Sequence, residues 1–248
     1  MFPRPEYDKI TVWKQTQEKY KELPPQESTL YGSLPEAEFA AMPRTHTTEI
    51  VFVKEDCIQV GVSLKRQGYK PLVLNMSDWK LAGGCVEGGS GAQEEECFRR
   101  SNYFKFLHQS YYPLKRYDTI VSKGVEYYCE KGATGYVYMD KPETLDMIAA
   151  PAVRFCQLSR DFKQFADPED IETMENKIRM LFYMGAKSGN DVLVLSAWGC
   201  GAYGCPPQHV GRIFRKICDE QKGLFKKVYF AVLGGNYELF KDAFTADD

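Results

Sequence analysis

The stretch Asn75-Met-Ser-Asp-Trp-Lys-Leu-Ala-Gly-Gly-Cys85-Val-Glu-Gly-Gly-Ser-Gly-Ala-Gln-Glu-Glu95-Glu-Cys-Phe-Arg-Arg100 decides the reading of this chain. It joins an apolar strand, Pro71 to Leu74, to a helix through a loop with five glycines. The helix opens with three consecutive carboxylates, Glu94, Glu95 and Glu96. Glycine tolerates φ > 0 and puts no side chain in the way, so such a loop lets backbone N–H groups close around a phosphate. Carboxylates in the same place repel that phosphate, which marks them as more than a solvated face. A second loop, Trp198-Gly-Cys-Gly-Ala-Tyr-Gly204, repeats the design without the acids. Two anion loops and one carboxylate cluster imply an enzyme acting on a diphosphate-containing ligand.

Outward from the first loop, Glu49 to Lys54 reads as a strand and Asp56 to Gln67 as a helix with Asp56 as its N-cap. Tyr7 to Leu23 has Ile10, Trp13, Thr16 and Tyr20 spaced for one helical face, and Pro24-Pro25 stops it. Gln26 to Thr48 is polar and turn-rich, an arm laid over the body. Between Tyr111 and Met139 the pattern supports only a short strand or hairpin around Val125 to Tyr128. Leu145 to Ala150 is a buried strand ended by Pro151, and Asp167-Pro-Glu-Asp caps a helix running to about Gly185. The Val/Leu run from Asp191 to Ala197 is a strand buried on both faces. After the second loop come a helix from Pro206 to Glu220, a strand from Lys227 to Leu233 and a last helix. Strands alternating with helices predict a mixed, largely parallel sheet with helices on both sides.

At 248 residues and 44% hydrophobic, the chain can bury one substantial α/β core. A net charge of −2 and a pI near 6.0 give no global reason to expect nucleic-acid or membrane binding. The eight cysteines are scattered without a CxxC pair, which argues against zinc and against a disulfide framework. The N-terminal Met-Phe-Pro-Arg-Pro-Glu-Tyr-Asp has no apolar leader region. An intracellular protein is expected, cytoplasmic or, in a eukaryote, nuclear, acting as a monomer away from membranes.

Gly199-Cys-Gly-Ala-Tyr-Gly204 literally satisfies G-x-G-x-x-G between a strand and a helix. The ribose-binding acid of a dinucleotide fold belongs at the end of the next strand, whereas Asp219 and Glu220 precede it. Too little chain also remains for the other strands of that fold. A P-loop is absent, since neither loop carries its Lys-Ser/Thr pair.

Gly83-Gly84-Cys85, seven residues and then Gln93-Glu94-Glu95 resembles the GGG–spacer–QEE signature of macrodomain-type poly(ADP-ribose) glycohydrolases, the microbial branch above all. Asn75 sits where that branch has the Asn at the end of a strand. Leu195 to Gly204 is similar to the family's second loop, and Trp13-Lys-Gln-Thr16 and Ala149-Ala-Pro-Ala152 also match in character. The chain departs from the pattern at Cys85, the third residue of the triplet, at Ala82 before it, and at Asp78 and Leu81, where related macrodomains place a ribose-contacting Asn.

The resemblance implies a macrodomain-like three-layer α/β/α fold with a mixed central sheet and an N-terminal helical extension. Residues 1–47 would form the helix and arm packed on the body, and residues 48–248 the ADP-ribose-binding catalytic domain. It further implies hydrolysis of the O-glycosidic bond of ADP-ribose units, from poly(ADP-ribose) or from a modified protein or nucleic acid, with no cofactor and no metal. By position Glu95 matches the family's catalytic acid and Glu94 its ribose-orienting neighbour. Substrate contacts would come from Asn75, Gly83, Gly84, Cys85, Val86, Gln93, Gly199, Cys200, Gly201, Ala202 and Tyr203, with Tyr203 packed on the distal ribose. A helix N-terminus lowers a carboxyl pKa, whereas burial, a like-charged neighbour and the ligand diphosphate raise it. The competing readings are a non-catalytic ADP-ribose reader, a mono-ADP-ribosyl hydrolase, and an enzyme on another nucleotide. Cys85 and Cys200 would need one of His46, His108 or His209 nearby to act as nucleophiles. Trp79, Trp198 and the pair Arg99-Arg100 read as packing and as a solvated or salt-bridged face.

Overall fold

A computed structural model of the protein describes residues 8–132 and 135–246. Tyr7, the first residue of the expected N-terminal helix, and the rest of the N-terminal heptapeptide lie outside the described residues, as do 247–248 at the end of the expected catalytic domain.

Seven strands form one mixed sheet: β1 (Thr29–Tyr31), β2 (Glu49–Val53), β3 (Pro71–Met76), β4 (Thr119–Gly132), β5 (Gly135–Ala150), β6 (Val192–Leu195) and β7 (Lys227–Ala231). Their spatial order is β1-β4-β5-β3-β6-β7-β2. The block β2-β7-β6-β3-β5 is parallel, and β4 and β1 complete the sheet antiparallel. The α-helices are α1 (Lys9–Lys19), α2 (Glu36–Ala40), α3 (Cys57–Arg66), α4 (Gln93–Arg99), α5 (Pro168–Lys187), α6 (Pro207–Glu220) and α7 (Asn236–Thr245).

Side chains alternate across a strand, so each parallel strand feeds both layers. Leu72 and Leu74 of β3 join Leu193 and Leu195 of β6 beneath α5, α6 and α7, where Ile178, Phe214 and Phe240 are fully buried. Val73, Val192 and Val194 point the other way, to Ile58 of α3 and Phe98 of α4. The three-layer α/β/α arrangement predicted from the alternation of elements is the one observed.

The N-terminal helix belongs to the same body. Asp8 caps α1 by accepting from the amides of Ile10 and Thr11. Trp13 is buried against Phe98 and Phe104, with ring centroids 6.0 and 5.2 Å away. Thr16 Oγ1 lies 2.6 Å from the carbonyl of Arg99 and 2.6 Å from Tyr128 Oη. α1 therefore braces the back of α4, the helix that carries the acids.

Three sequence expectations change. The short strand or hairpin expected around Val125 to Tyr128 is the middle of β4, the first strand of a much longer hairpin, and Leu145 to Ala150 is only the buried end of β5. Two register shifts, between Ser122 and Val125 and between Tyr127 and Cys129, break the period-2 pattern of β4 and hide its length. The arm contains the edge strand β1 and the short helix α2. Arg99 and Arg100, expected on a solvated or salt-bridged face, are salt-bridged but fully buried: Arg99 pairs with Glu96 at 3.1 Å and Arg100 with Asp56 at 2.9 Å.

Candidate active site

A cleft of about 520 Å³ opens along the C-terminal ends of β2, β7, β6 and β3. This is where an open α/β sheet places its ligand, because loops leaving neighbouring parallel strands diverge there. Asp56 at the start of α3 stands at one end, Glu94 and Glu95 line the other, and the second glycine loop forms the opposite wall.

Gly83 and Gly84 hold φ of 78° and 57°, the left-handed region. A Cβ on Gly84 would sit 2.7 Å from Glu95 Oε1, so the loop can pass the acid only without a side chain. The turn aims two amides at the carboxylates. Gly83 N donates to Glu94 Oε1 at 3.2 Å and Cys85 N to Glu95 Oε1 at 3.0 Å. Other amides of this loop close it on itself: Val86 N to Gly83 O, Gly88 N to Cys85 O and Ser90 N to Cys85 O. The first loop thus holds the acids, while the amides of Gly91 and Ala92, which line the cleft, donate to no backbone carbonyl among the described residues.

Glu94 and Glu95 are both buried but unlike in surroundings. Glu94 Oε1 accepts from Gly83 N and Asn75 Nδ2 (3.3 Å), with the Ser77 hydroxyl 3.2 Å away, and Oε2 accepts from Asp78 N at 2.6 Å. Burial nevertheless pushes the Glu94 carboxyl up to about 8, against those hydrogen bonds. Glu95 has one oxygen on Cys85 N, while its Oε2 is buried with no hydrogen-bond partner among the described residues. Glu96 also lines the cleft and its Oε2 likewise has no hydrogen-bond partner among the described residues, but its Oε1 accepts from Arg99 Nη1 and Tyr136 Oη, which ties it to the scaffold.

The remaining expected site residues divide into two groups. Gly84, Cys85, Gln93, Gly199, Gly201, Ala202 and Tyr203 line the cleft. Asn75, Gly83, Val86 and Cys200 stand behind its wall. Asn75 holds Glu94, Val86 is core, and Cys200 accepts at its carbonyl from Asn236 Nδ2 at 2.9 Å. Gln93 has both ends of its amide engaged: Oε1 accepts from Met76 N at 2.8 Å and Nε2 donates to Leu74 O at 2.7 Å. It stitches the start of α4 to β3. Asp78 Oδ1 accepts from the amides of Lys80 and Leu81 and shapes the turn before the glycines. His108 is hydrogen-bonded to Gln26 O, and His209 to Phe165 N. Neither histidine is bonded to Cys85 or Cys200.

In the second loop, the amides of Gly199, Gly201, Ala202 and Tyr203 donate to no backbone carbonyl among the described residues, whereas Cys200 N and Gly204 N do. Four free N–H groups on the cleft wall make a receptor for an anion. Trp198, fully buried, anchors the loop through Nε1 to Ala150 O at 3.2 Å. Asn236, which braces this loop and lines the cleft, was missed from the sequence. Its signal was Gly234-Gly235 after β7, a third glycine turn at the same edge of the sheet.

Residues 11–131 match a family model described as microbial-type PARG, catalytic domain. Among solved structures, poly(ADP-ribose) glycohydrolase from Thermomonospora curvata superposes with a TM-score of 0.80 at 20% identity, covering 95% of this chain and 99% of that one. The enzyme from Deinococcus radiodurans in complex with ADP-ribose gives a TM-score of 0.71 at 24% identity, covering 88% of this chain and 92% of that one. The Thermomonospora enzyme bound to the inhibitor ADP-HPD gives 0.74 at 21% identity, covering 95% and 97%. No curated protein sequence matches the chain significantly. The chain is similar to the microbial-type poly(ADP-ribose) glycohydrolases, matching their catalytic-domain model over residues 11–131 and sharing the fold of the solved enzymes.

Proposed function

We propose that this chain hydrolyses the O-glycosidic bond of ADP-ribose units, releasing ADP-ribose from poly(ADP-ribose) or from an ADP-ribosylated macromolecule, with Glu95 as the proton donor. The observation that carries this reading is Glu95 Oε2, a buried oxygen without a partner among the described residues, on a cleft-lining carboxyl that, unlike Glu96 with its Arg99 pair, is in no ion pair there. A reader of ADP-ribose has no use for such an acid.

ADP-ribose fits the cleft with its adenine toward Asp56, its diphosphate along the free amides of Gly199 and Gly201 to Tyr203, and its distal ribose against Gly84 and Cys85. Tyr203, half-buried with Oη 3.4 Å from Ser77 O, packs on that ribose. The Cys85 amide fixes Oε1 of Glu95, so a proton on Oε2 is directed at the leaving oxygen. Glycoside cleavage passes through an oxocarbenium-like state and needs that proton as the C–O bond breaks with its electron pair on oxygen. Water then adds to the anomeric carbon and returns its proton to Glu95. The carboxylate of Glu95 is the base in this second half, which requires no other group.

Incubating the protein with poly(ADP-ribose) and resolving the products by chromatography tests the reading. ADP-ribose is expected. Polymer recovered intact by a protein that binds ADP-ribose would leave a reader.

A further inference from the structure

Beyond the end of the cleft that holds the acids lies a second pocket of about 180 Å³, at the C-terminal end of β5. The two share Ala152, and Arg154, which lines the second pocket, stacks on Trp79 with its guanidinium 3.7 Å from the ring centroid. The pocket gathers Lys115, Arg116, Arg154 and Lys177 with two carboxylates, Glu169 and Asp170. Glu169 pairs with Arg116, and Asp170 accepts from Gln157 N at 3.1 Å. Among the described residues, Lys115, Arg154 and Lys177 have no carboxylate partner within ion-pair distance.

These cations are not casual surface charges. Lys177 is 5% exposed on α5, and its Nζ donates to the carbonyls of Arg116 and Pro151 (2.9 Å for the latter), leaving one of its three donors unused. Burial, with Arg154 and Arg116 beside it, draws its pKa down to about 8 against the opposing charge of Asp118. Arg154 Nη1 is buried without a hydrogen-bond partner. At the rim, Phe155 is 87% exposed and holds φ 56°, a conformation that bulky residues rarely adopt. Its ring is presented to solvent and not to the core.

We infer that this pocket is a second nucleotide subsite, which holds the adenosine diphosphate moiety of the unit on the leaving side of the scissile bond. Its pyrophosphate lies among Lys115, Arg154 and Lys177, and its adenine stacks on Phe155. The inference rests on the glycohydrolase reading and deepens it, because the distal ribose would sit against Glu95 at the end of the cleft nearest this pocket. A cluster of unneutralised cations suits a diphosphate, and an exposed ring beside it suits a purine face. The site would favour polymer over a single ADP-ribose carried on a small aglycone.

The test compares two substrates in wild type, Lys115→Ala, Phe155→Ala and Arg154→Lys. One is poly(ADP-ribose). The other is ADP-ribose joined at its distal anomeric carbon to a nitrophenol, which has the scissile bond but no nucleotide beyond it. The ratio of kcat/KM on polymer to kcat/KM on the nitrophenyl substrate is expected to fall about tenfold in Lys115→Ala and in Phe155→Ala, and less in Arg154→Lys. Both alanine variants alter exposed side chains, and the nitrophenyl substrate reports whether the catalytic cleft remains intact. An unchanged ratio in variants that cleave polymer would overturn the subsite and leave the glycohydrolase reading standing. Wild-type protein inert on both substrates would overturn the glycohydrolase reading and the subsite with it.

Discussion

Glu94 and Glu95 are consecutive residues on one helical turn, yet both oxygens of Glu94 are engaged by N–H donors while Oε2 of Glu95 has no partner. The difference follows from the turn at Gly83 and Gly84, which brings the Gly83 amide to one carboxyl and the Cys85 amide to the other. It divides the labour between neighbours. Glu94 ties β3, Ser77 and the loop together, and Glu95 is left with an oxygen for chemistry.

Glu94 gives the protein a pH-dependent stability. Burial holds its carboxyl at about 8 in the fold against an ordinary value of 4.5, so the folded chain retains a proton that the unfolded chain has lost. The native state binds more protons between those values, and stability falls as pH rises from about 4.5 to 8, by an amount on the order of a few kcal/mol. Above pH 8 the dependence levels off. Urea unfolding at pH 5, 6.5 and 8 should show this decline in wild type and a flatter profile in Glu94→Gln. Parallel profiles would contradict it.

Gly84→Ala tests the geometry of the loop. A Cβ 2.7 Å from Glu95 Oε1, at φ 57°, both strains the backbone, by about 1–2 kcal/mol, and displaces the acid. Turnover should fall by at least about tenfold, since misplacement of a catalytic group by a fraction of an ångström is costly. Activity within twofold of wild type would show that the loop does not set the position of Glu95.

The buried pair Arg100 and Asp56 joins the β4–β5 hairpin to α3, with Arg100 Nε also donating to Cys129 O at 3.1 Å. Arg100→Met removes the cation and leaves the Asp56 carboxylate and a carbonyl without their partner. A loss of about 3–5 kcal/mol is expected in denaturant unfolding. Adding Asp56→Asn should recover part of it, because the uncompensated charge is gone. A double variant no more stable than the single would contradict this account.

Tyr203 should act through its ring and not its hydroxyl, whose contact with Ser77 O is long at 3.4 Å. Calorimetry is expected to find ADP-ribose binding within about twofold of wild type for Tyr203→Phe and about tenfold weaker for Tyr203→Ala, the worth of one packed aromatic face. Equal losses in both would assign the role to the hydroxyl.

The sequence was legible where a local rule and the tertiary fold agree. The Asp56 and Asp167 caps, the Val/Leu run of β6 and the glycine loop before Gln93 all stand where their chemistry placed them. The length of the hairpin was not legible. Gly124, at φ 71°, and the two register shifts interrupt the alternation in β4, and much of the outer part of β5 faces solvent. The burial of Arg99 and Arg100 was not legible either, because guanidinium groups are seldom buried unless paired, and their partners Glu96 and Asp56 are chosen by the fold. In the site, residue types announced the acids. That Asn75 turns to Glu94 behind the cleft wall, and that the Gln93 amide is engaged by β3, depends on side-chain direction, which spacing does not encode.

The central claim is that Glu95 supplies the proton, and Glu95→Gln tests it most directly. The amide keeps the shape of the side chain and can still accept from Cys85 N, but it has no proton to transfer. Turnover of poly(ADP-ribose) by wild type and variant should be measured beside ADP-ribose binding by calorimetry. The account predicts binding within a few-fold and a fall in kcat of about 10²–10⁴. A variant that binds ADP-ribose and turns over polymer at the wild-type rate would contradict it.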